Sequence, residues 1–446
     1  MTHIKRLPVD TGTSGWEAIS SRSAAMRALE GDVNADWLVV GAGFAGLTAA
    51  HRLAELCPGS RIVVMEAREV AKGPAGRNSG FMIDVPHNLA AGEYSSGNAA
   101  ATALEMAQNR LAIAYAKGIA EQYGMPLETF NPCGKINAAA SERGARLNRD
   151  FARSLQAAGE PFELYDAARM RDITGSQYYS GGLYTPGAVL IQPANYIRSL
   201  AAGLGGQVEL YEHSPVVELN KAGGQWHAKS HRGTVRANKV ILAVNGHIED
   251  FGHFAGRLLH IFTYASMTAA YTHSQFDRAT TGRPMWALLP ADPMGATVRK
   301  YTEAGLSRIV IRTRFTYDPS VQVSQRRVAA IAEEQRHSFD ARFPELKKVP
   351  FEFSWAGRLC LSRNSTPAFG ELDAGLYSAC CENGLGTVKS TLAGMMVAEL
   401  ATGQASEHLR QYQNTPGPNR LPPGPLAWLG VNSVIRWQEL RAGKEG

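Results

Sequence analysis

Apolar residues follow two rhythms along this chain. Short unbroken runs, Trp37-Leu38-Val39-Val40, Ile62-Val63-Val64-Met65, Val240-Ile241-Leu242-Ala243-Val244 and Leu376–Cys381, predict strands buried on both faces, as in a parallel sheet. Helical spacing marks 98–124, 143–158, 165–172, a helix from Pro193 to about Leu204, a charged helix over 323–340, and one from Thr387 to about Ala401 that Gly403 stops. Val208–Tyr211, Val216–Leu219 and several segments of 256–320, among them Arg308–Arg314, read as further strands.

The order of these elements predicts an α/β plus α+β chain, a Rossmann-like domain interrupted by an inserted domain of mixed β-sheet plus helices. The Rossmann-like domain takes 36–92, 186–255 and 355–415, and the inserted substrate domain 93–185 and 256–354. Residues 1–35 form a polar leader expected to lie over a domain surface. Residues 416–446 form a Pro-rich tail ending in a short helix around Val434–Arg441.

Composition narrows this little. A chain of 446 residues with 44% hydrophobic and 19% charged residues is globular, and too long for a single core. No apolar run reaches the roughly 20 residues of a membrane span, and no signal-peptide stretch opens the chain, so a cytoplasmic location is expected. The five cysteines have no metal or disulfide spacing; no metal site is expected, and Cys380 and Cys381 read as buried thiols. The net charge of +6 is scattered, without the basic stripe of a nucleic-acid binder. Nothing in the sequence fixes an oligomeric state.

The chemistry starts at Gly41-Ala42-Gly43-Phe44-Ala45-Gly46, between the first strand and its helix. Gly41 permits a tight turn, Gly43 a close approach of backbone to a pyrophosphate, and Gly46 close packing of helix on strand. The helix N-terminus then faces the phosphates. Glu66, at the end of the second strand and about 20 residues beyond, is placed to accept from ribose hydroxyls. A second small-residue loop, Ala75-Gly76-Arg77-Asn78-Ser79-Gly80, lets backbone approach a flat ring. A third, Glu382-Asn383-Gly384-Leu385-Gly386, opens the helix at Thr387. No second GxGxxG follows a later strand, so a separate nicotinamide domain is not evident.

With the mid-chain Gln192-Pro193-Ala194 helix, this series resembles the D-amino-acid oxidase superfamily of FAD-dependent oxidoreductases, whose cofactor domain is of the GR2 type. The branch it most resembles contains the gamma-glutamylputrescine oxidases, supported by Leu29-Glu30-Gly31-Asp32, Trp355-Ala356-Gly357 and Thr366-Pro367-Ala368-Phe369-Gly370. Glycine and sarcosine oxidases are more distant. The resemblance implies FAD with its diphosphate on Gly41, Gly43, Phe44, Ala45 and Gly46, and its ribose on Glu66 beside Ala67 and Arg68. Val216 would meet the adenine, and Gly76, Arg77, Asn78, Ser79 and Gly80 the isoalloxazine. Asn245 and Gly246 would lie near the diphosphate, with Gly357, Gly384, Leu385, Gly386 and Thr387 completing the cofactor set. Donors at Gly386 and Thr387 would face the negative charge of reduced flavin.

It further implies oxidation of a C–N bond in a small amine or amino acid: hydride to flavin N5, hydrolysis of the imine, electrons to oxygen or another acceptor. Such chemistry requires positioning and a desolvated pocket rather than a catalytic triad. An NAD-linked dehydrogenase and a flavin-holding subunit of a multi-chain oxidase are the competing readings. The chain departs from the sarcosine oxidase pattern: no Arg follows the flavin loop, where Gly80-Phe81-Met82-Ile83-Asp84-Val85-Pro86-His87 stands, and Lys389 is out of register. Asp84 is a candidate for a cationic amine or a solvated carboxylate, His87 for the pocket or a structural position. Arg308, Arg312 and Arg314 share one face of a period-2 strand, an anion site for a carboxylate-, phosphonate- or sulfonate-bearing amine or a solvated edge. Tyr301 and Trp355 are further pocket candidates. Cys360 stands one residue out of register with the covalent flavin cysteine of sarcosine oxidases, so non-covalent FAD is expected.

Overall fold

The computed structural model describes residues 2–21, 26–86, 99–272, 275–276 and 282–446. Five parallel strands form the heart of the first sheet, in the order Val208–Tyr211, Ile62–Met65, Gly31–Val40, Gly233–Leu242 and Leu376–Cys380. The four strands other than the edge strand Val208–Tyr211 contain runs of buried residues because helices cover the sheet. The strand Gly233–Leu242 forks the sheet. Its first half pairs antiparallel with Gln225–Lys229, and Val240–Leu242 pair with Leu376–Ser378.

Helices Phe44–Leu56 and Gly386–Thr402 pack on each other over this sheet. Gly394 permits the approach, since a Cβ there would stand 2.4 Å from the Ala45 carbonyl oxygen. Both helices begin beyond the C-terminal ends of parallel strands, where open α/β sheets bind their ligands.

The second sheet runs Phe351–Ser362, Leu258–Thr268, Leu306–Tyr317, Thr297–Glu303, Trp286–Pro290, Lys135–Ala139, Gly181–Thr185 and Glu163–Asp166. All neighbours are antiparallel except Trp286–Pro290 with Lys135–Ala139, where the two halves of the insertion meet. The strand Phe351–Ser362 pairs along its length with Leu258–Thr268, so the boundary expected at residue 355 falls inside a strand. Helix Gln325–Arg342 covers one face, with Gln335 bonded to the Tyr264 carbonyl and Phe339 buried in the core.

The leader departs from expectation. Ser14 and Trp16 are fully buried, and Leu29 nearly so. Ser14 donates to the Gly76 carbonyl, and Gln192 donates to that of Trp16. The Trp16 ring packs edge-on to Tyr301, with centroids 5.6 Å apart. This segment therefore fills the seam between the two sheets; its polar composition hides one large aromatic anchor. The tail also holds more structure than expected, a helix spanning Gly424–Ala442. Among the described residues no helix is long and apolar enough to cross a membrane.

Candidate cofactor and substrate cavity

A cavity runs from the end of the strand Gly31–Val40 to the second sheet. At its first end the glycines of the turn divide by task. Gly41 has φ +103, and a Cβ there would stand 2.6 Å from the Ala243 oxygen. At Gly46 a Cβ would stand 1.8 Å from the Gly41 oxygen, so Gly46 serves helix packing and lies off the cavity wall. At Gly43 only the Ala75 methyl comes within 4 Å, leaving room beside the backbone. Glu66 accepts from the Ala42 and Arg68 N–H groups at 2.9 and 3.0 Å. Burial outweighs these donors and raises its pKa above the ordinary carboxylate value. Ala67, Arg68 and Val216 line the same end, joined by Asp10, which pairs with Arg68 at 2.9 Å.

Arg358 and His247 complete this wall, and no sequence pattern marked them. The guanidinium of Arg358 donates to His247 Nε2 at 2.8 Å. The imidazole proton therefore sits on Nδ1, facing Asp250 at 3.4 Å. Burial lowers the pKa of both.

The loop after the second strand turns through Pro74–Gly76. Asn78 ties it, donating to the Ala75 carbonyl at 2.7 Å and accepting from the Gly80 N–H at 2.9 Å. Asn78, Ser79 and Gly80 line the cavity; Gly76 and Arg77 do not. A Cβ on Gly76 would strike the Ala71 oxygen at 1.9 Å. Arg77 points away and donates to the carbonyls of Ala356, Thr11 and Gly12 at 2.8, 2.5 and 2.7 Å. Its desolvation brings its pKa down to about 10. Trp355 Nε1 donates to the Arg77 carbonyl at 3.0 Å, and Gly357 backs onto the same oxygen. Trp355 and Gly357 thus support the loop from behind, so Trp355 leaves the candidate substrate pocket and Gly357 the candidate cofactor set.

Arg299 is the support that sequence reasoning missed. From the second sheet its buried Nη1 donates to Ile191, Ser79 and Gly80 carbonyls at 2.6, 3.2 and 3.4 Å. Its guanidinium lies 4.9 Å over the Trp16 ring, and desolvation lowers its pKa to about 10.

The third loop closes the other side. Cys381, Asn383 and Gly384 have positive φ of 62, 52 and 89°, bending the chain so that Gly384–Thr387 face the cavity. Asn245, itself at φ 49°, lines the cavity and accepts from the Cys381 N–H. Gly246 is turned outward, where a Cβ would meet the His260 ring at 2.7 Å. Glu382 lines the wall, and enclosure raises its carboxyl to about 7. Cys360 is buried against Cys381, and its thiol pKa is raised well above the ordinary value.

Helices starting after Ser141, Asp166, Gln192, Ser324 and Ser406 have side-chain caps. The two that open on the cavity, at Gly43 and Leu385, have none. At Gly386 nothing stands within 4 Å of an added Cβ. Uncapped N–H groups, a positive dipole end and backbone with room beside it form a cradle that fits an anionic dinucleotide.

At the far end Phe81, Ile83, Thr263, Leu289, Arg312 and Phe315 form the wall. The three-arginine face is corrected here. Arg314, at φ 60°, is the extra residue of a bulge, since Tyr264 pairs with Thr313 and Thr263 with Phe315. The bulge sends Arg314 to Glu334 and Glu439 and turns Phe315 to the cavity. Arg308 is engaged by Glu352 and the Thr268 carbonyl, off the wall. Arg312 remains on it, over the Phe315 ring at 4.9 Å and bonded to Thr297 Oγ1 at 2.6 Å. Asp84 is buried beside Arg110 and lies off the cavity, as does Tyr301 in the core. His87 lies outside the described residues.

A parallel-sheet domain whose glycine turn shares one cavity with a second sheet defines a two-domain, dinucleotide-dependent enzyme architecture. The chain belongs to the DAO family of FAD-dependent oxidoreductases, whose model matches residues 36–400, and FAD is its cofactor. It is 26% identical over 418 residues to the gamma-glutamylputrescine oxidoreductase of Escherichia coli, covering 91% of this chain and 92% of that one. A probable oxidoreductase OrdL of Haemophilus influenzae is 26% identical over 390 residues, 83% of each chain. Among solved structures, glycine oxidase from Geobacillus kaustophilus superimposes with a TM-score of 0.70 at 18% identity, over 87% of this chain and all of that one.

Proposed function

We propose that this enzyme oxidises the C–N bond of a small amine or amino acid whose distal end is anionic, with FAD held non-covalently. Bound FAD supplies the hydride acceptor; the chain's residues position the substrate. The carrying observation is the composition of the far wall, where the cation Arg312 stands among Phe81, Ile83, Leu289 and Phe315. Arg312 anchors a carboxylate, phosphonate or sulfonate, and the apolar side chains exclude water and favour the neutral amine from which hydride leaves. Uncapped N–H groups at Gly386 and Thr387 would stabilise negative charge on a reduced flavin bound in the cavity. The raised pKa of Cys360 leaves it a thiol rather than a nucleophile, which supports the non-covalent reading.

The names of the gamma-glutamylputrescine oxidoreductase and glycine oxidase relatives support C–N substrates. An L-2-hydroxyglutarate dehydrogenase of Escherichia coli, 25% identical over 44% of this chain, makes C–O oxidation the second reading. The test is an anaerobic screen of flavin bleaching with polyamines, γ-glutamyl amines, N-methyl amino acids, amino-sulfonates and amino-phosphonates, alongside 2-hydroxy acids. Bleaching by amines bearing an anionic end supports the proposal. Bleaching by 2-hydroxy acids alone refutes it. Acid precipitation that keeps the yellow colour with the protein refutes non-covalent binding.

A further inference from the structure

We propose that the outward face of the helix Gly424–Ala442 docks on an anionic phospholipid surface. Of the ten large hydrophobic side chains exposed among the described residues, six lie on this helix: Leu426, Trp428, Leu429, Val434, Trp437 and Leu440. Each is 49–66% exposed. Leu426, Leu429, Trp437 and Leu440 share one side at helical spacing and together bare on the order of 450 Å² of apolar surface, as much as the largest patch of a typical soluble monomer. The stripe is a consequence of how the helix is seated. Ala427 and Ala442 are buried, and Val431 and Ile435 pack against the cluster of Ile261, Phe315, Tyr317 and Leu361. Asn432 exchanges bonds with the backbone of Tyr317, and Glu439 accepts from Arg314 and the Phe315 N–H. The opposite face is therefore committed to the second sheet.

Charge selects the occupant. Both acids of the segment are turned inward: Glu439 as above, and Glu445 toward Ser141 and the Ala140 N–H. Arg436 pairs with Glu439 at 3.4 Å, which leaves Arg441 and Lys444 as the exposed cations of the segment, with Arg441 standing over the Trp437 ring at 5.2 Å. A second copy related by a two-fold axis would bring this cationic flank against its own image. Anionic headgroups bring the opposite sign, while the Trp437 indole and the leucines enter the headgroup boundary.

The experiment is flotation of the full-length, FAD-loaded protein with two kinds of vesicle. One is phosphatidylcholine alone; the other is equal parts phosphatidylcholine and phosphatidylglycerol. Binding to the mixed vesicles, weakened by salt and about fivefold by each of Arg441→Gln and Lys444→Gln, is expected. Leu429→Asp with Leu440→Asp should abolish it while flavin content stays unchanged. Equal binding to both vesicles, or binding to neither, overturns the proposal. So does concentration-dependent self-association in sedimentation that the double aspartate variant breaks, which would assign the face to a second copy.

Discussion

Replacing Arg299 by Met separates holding the flavin loop from holding the fold. In the native chain, the Arg299 guanidinium reaches from the second sheet to the carbonyls of Ile191 and Ser79 at 2.6 and 3.2 Å, with Gly80 further off. Deleting these donors deprives two well-bonded buried carbonyls, at roughly 1–3 kcal/mol each. The opposing term is also large. Desolvation lowers the Arg299 pKa to about 10, so keeping it charged costs on the order of 3 kcal/mol, which the uncharged Met recovers along with stem packing under Trp16. The two nearly cancel in global stability. They do not cancel in the loop, because the other second-sheet supports, Trp355 and Ala356, hold Arg77, whereas Arg299 holds the Ser79 carbonyl. If native placement of the loop loses about 2 kcal/mol against alternatives, the apparent FAD dissociation constant rises roughly 10- to 30-fold. Titration of apoprotein with FAD, followed by flavin fluorescence, measures this, and urea unfolding measures the stability. An affinity within twofold of the parent at unchanged stability would refute the reasoning.

Three further outcomes follow from the same geometry. Gly46→Ala places a methyl 1.8 Å from the Gly41 oxygen, and backbone displacement should cost about 1–3 kcal/mol and sharply lower the flavin content of the purified protein. Glu382, raised from 4.5 to about 7 by burial, holds its proton more tightly folded than unfolded, so its contribution is intact below about pH 4.5 and lost as pH rises through about 7. Unfolding of the apoprotein at pH 5 and pH 8 should therefore show a loss of roughly 3 kcal/mol that Glu382→Gln removes. Arg312→Gln should raise KM for amines with an anionic end about 10- to 100-fold and leave KM for neutral amines nearly unchanged, measured by steady-state turnover.

The cofactor half of the site was legible because its requirements are local in sequence. A positive φ at Gly41, the close packing at Gly46 and a carboxylate at the end of the next strand impose glycine and acid at fixed spacing. The same reasoning overreached at Gly76, Arg77, Gly246 and Gly357. A sequence can show that only glycine fits, but the neighbour that excludes a side chain at Gly76, Gly246 and Gly357 is protein, and Arg77 turns away to the carbonyls of Ala356, Thr11 and Gly12. The substrate half was read poorly. A single bulge at Arg314 breaks the period-2 pattern that had placed three arginines together, and its signal is a backbone angle. Arg299, Arg358 and Trp16 act across domain seams, through partners more than 100 residues away.

Hydride transfer from a C–N bond to FAD, in the cavity between Gly386 and Arg312, is the reaction proposed for this enzyme. Single-turnover reduction under anaerobic conditions tests it most directly. A γ-glutamyl amine or amino acid and its 2-hydroxy counterpart would be mixed separately with the FAD-loaded enzyme while the visible flavin band is followed. Saturable bleaching by the nitrogen compound and none by the hydroxy compound is expected. Bleaching by the hydroxy compound, with the nitrogen compound inert, would contradict it.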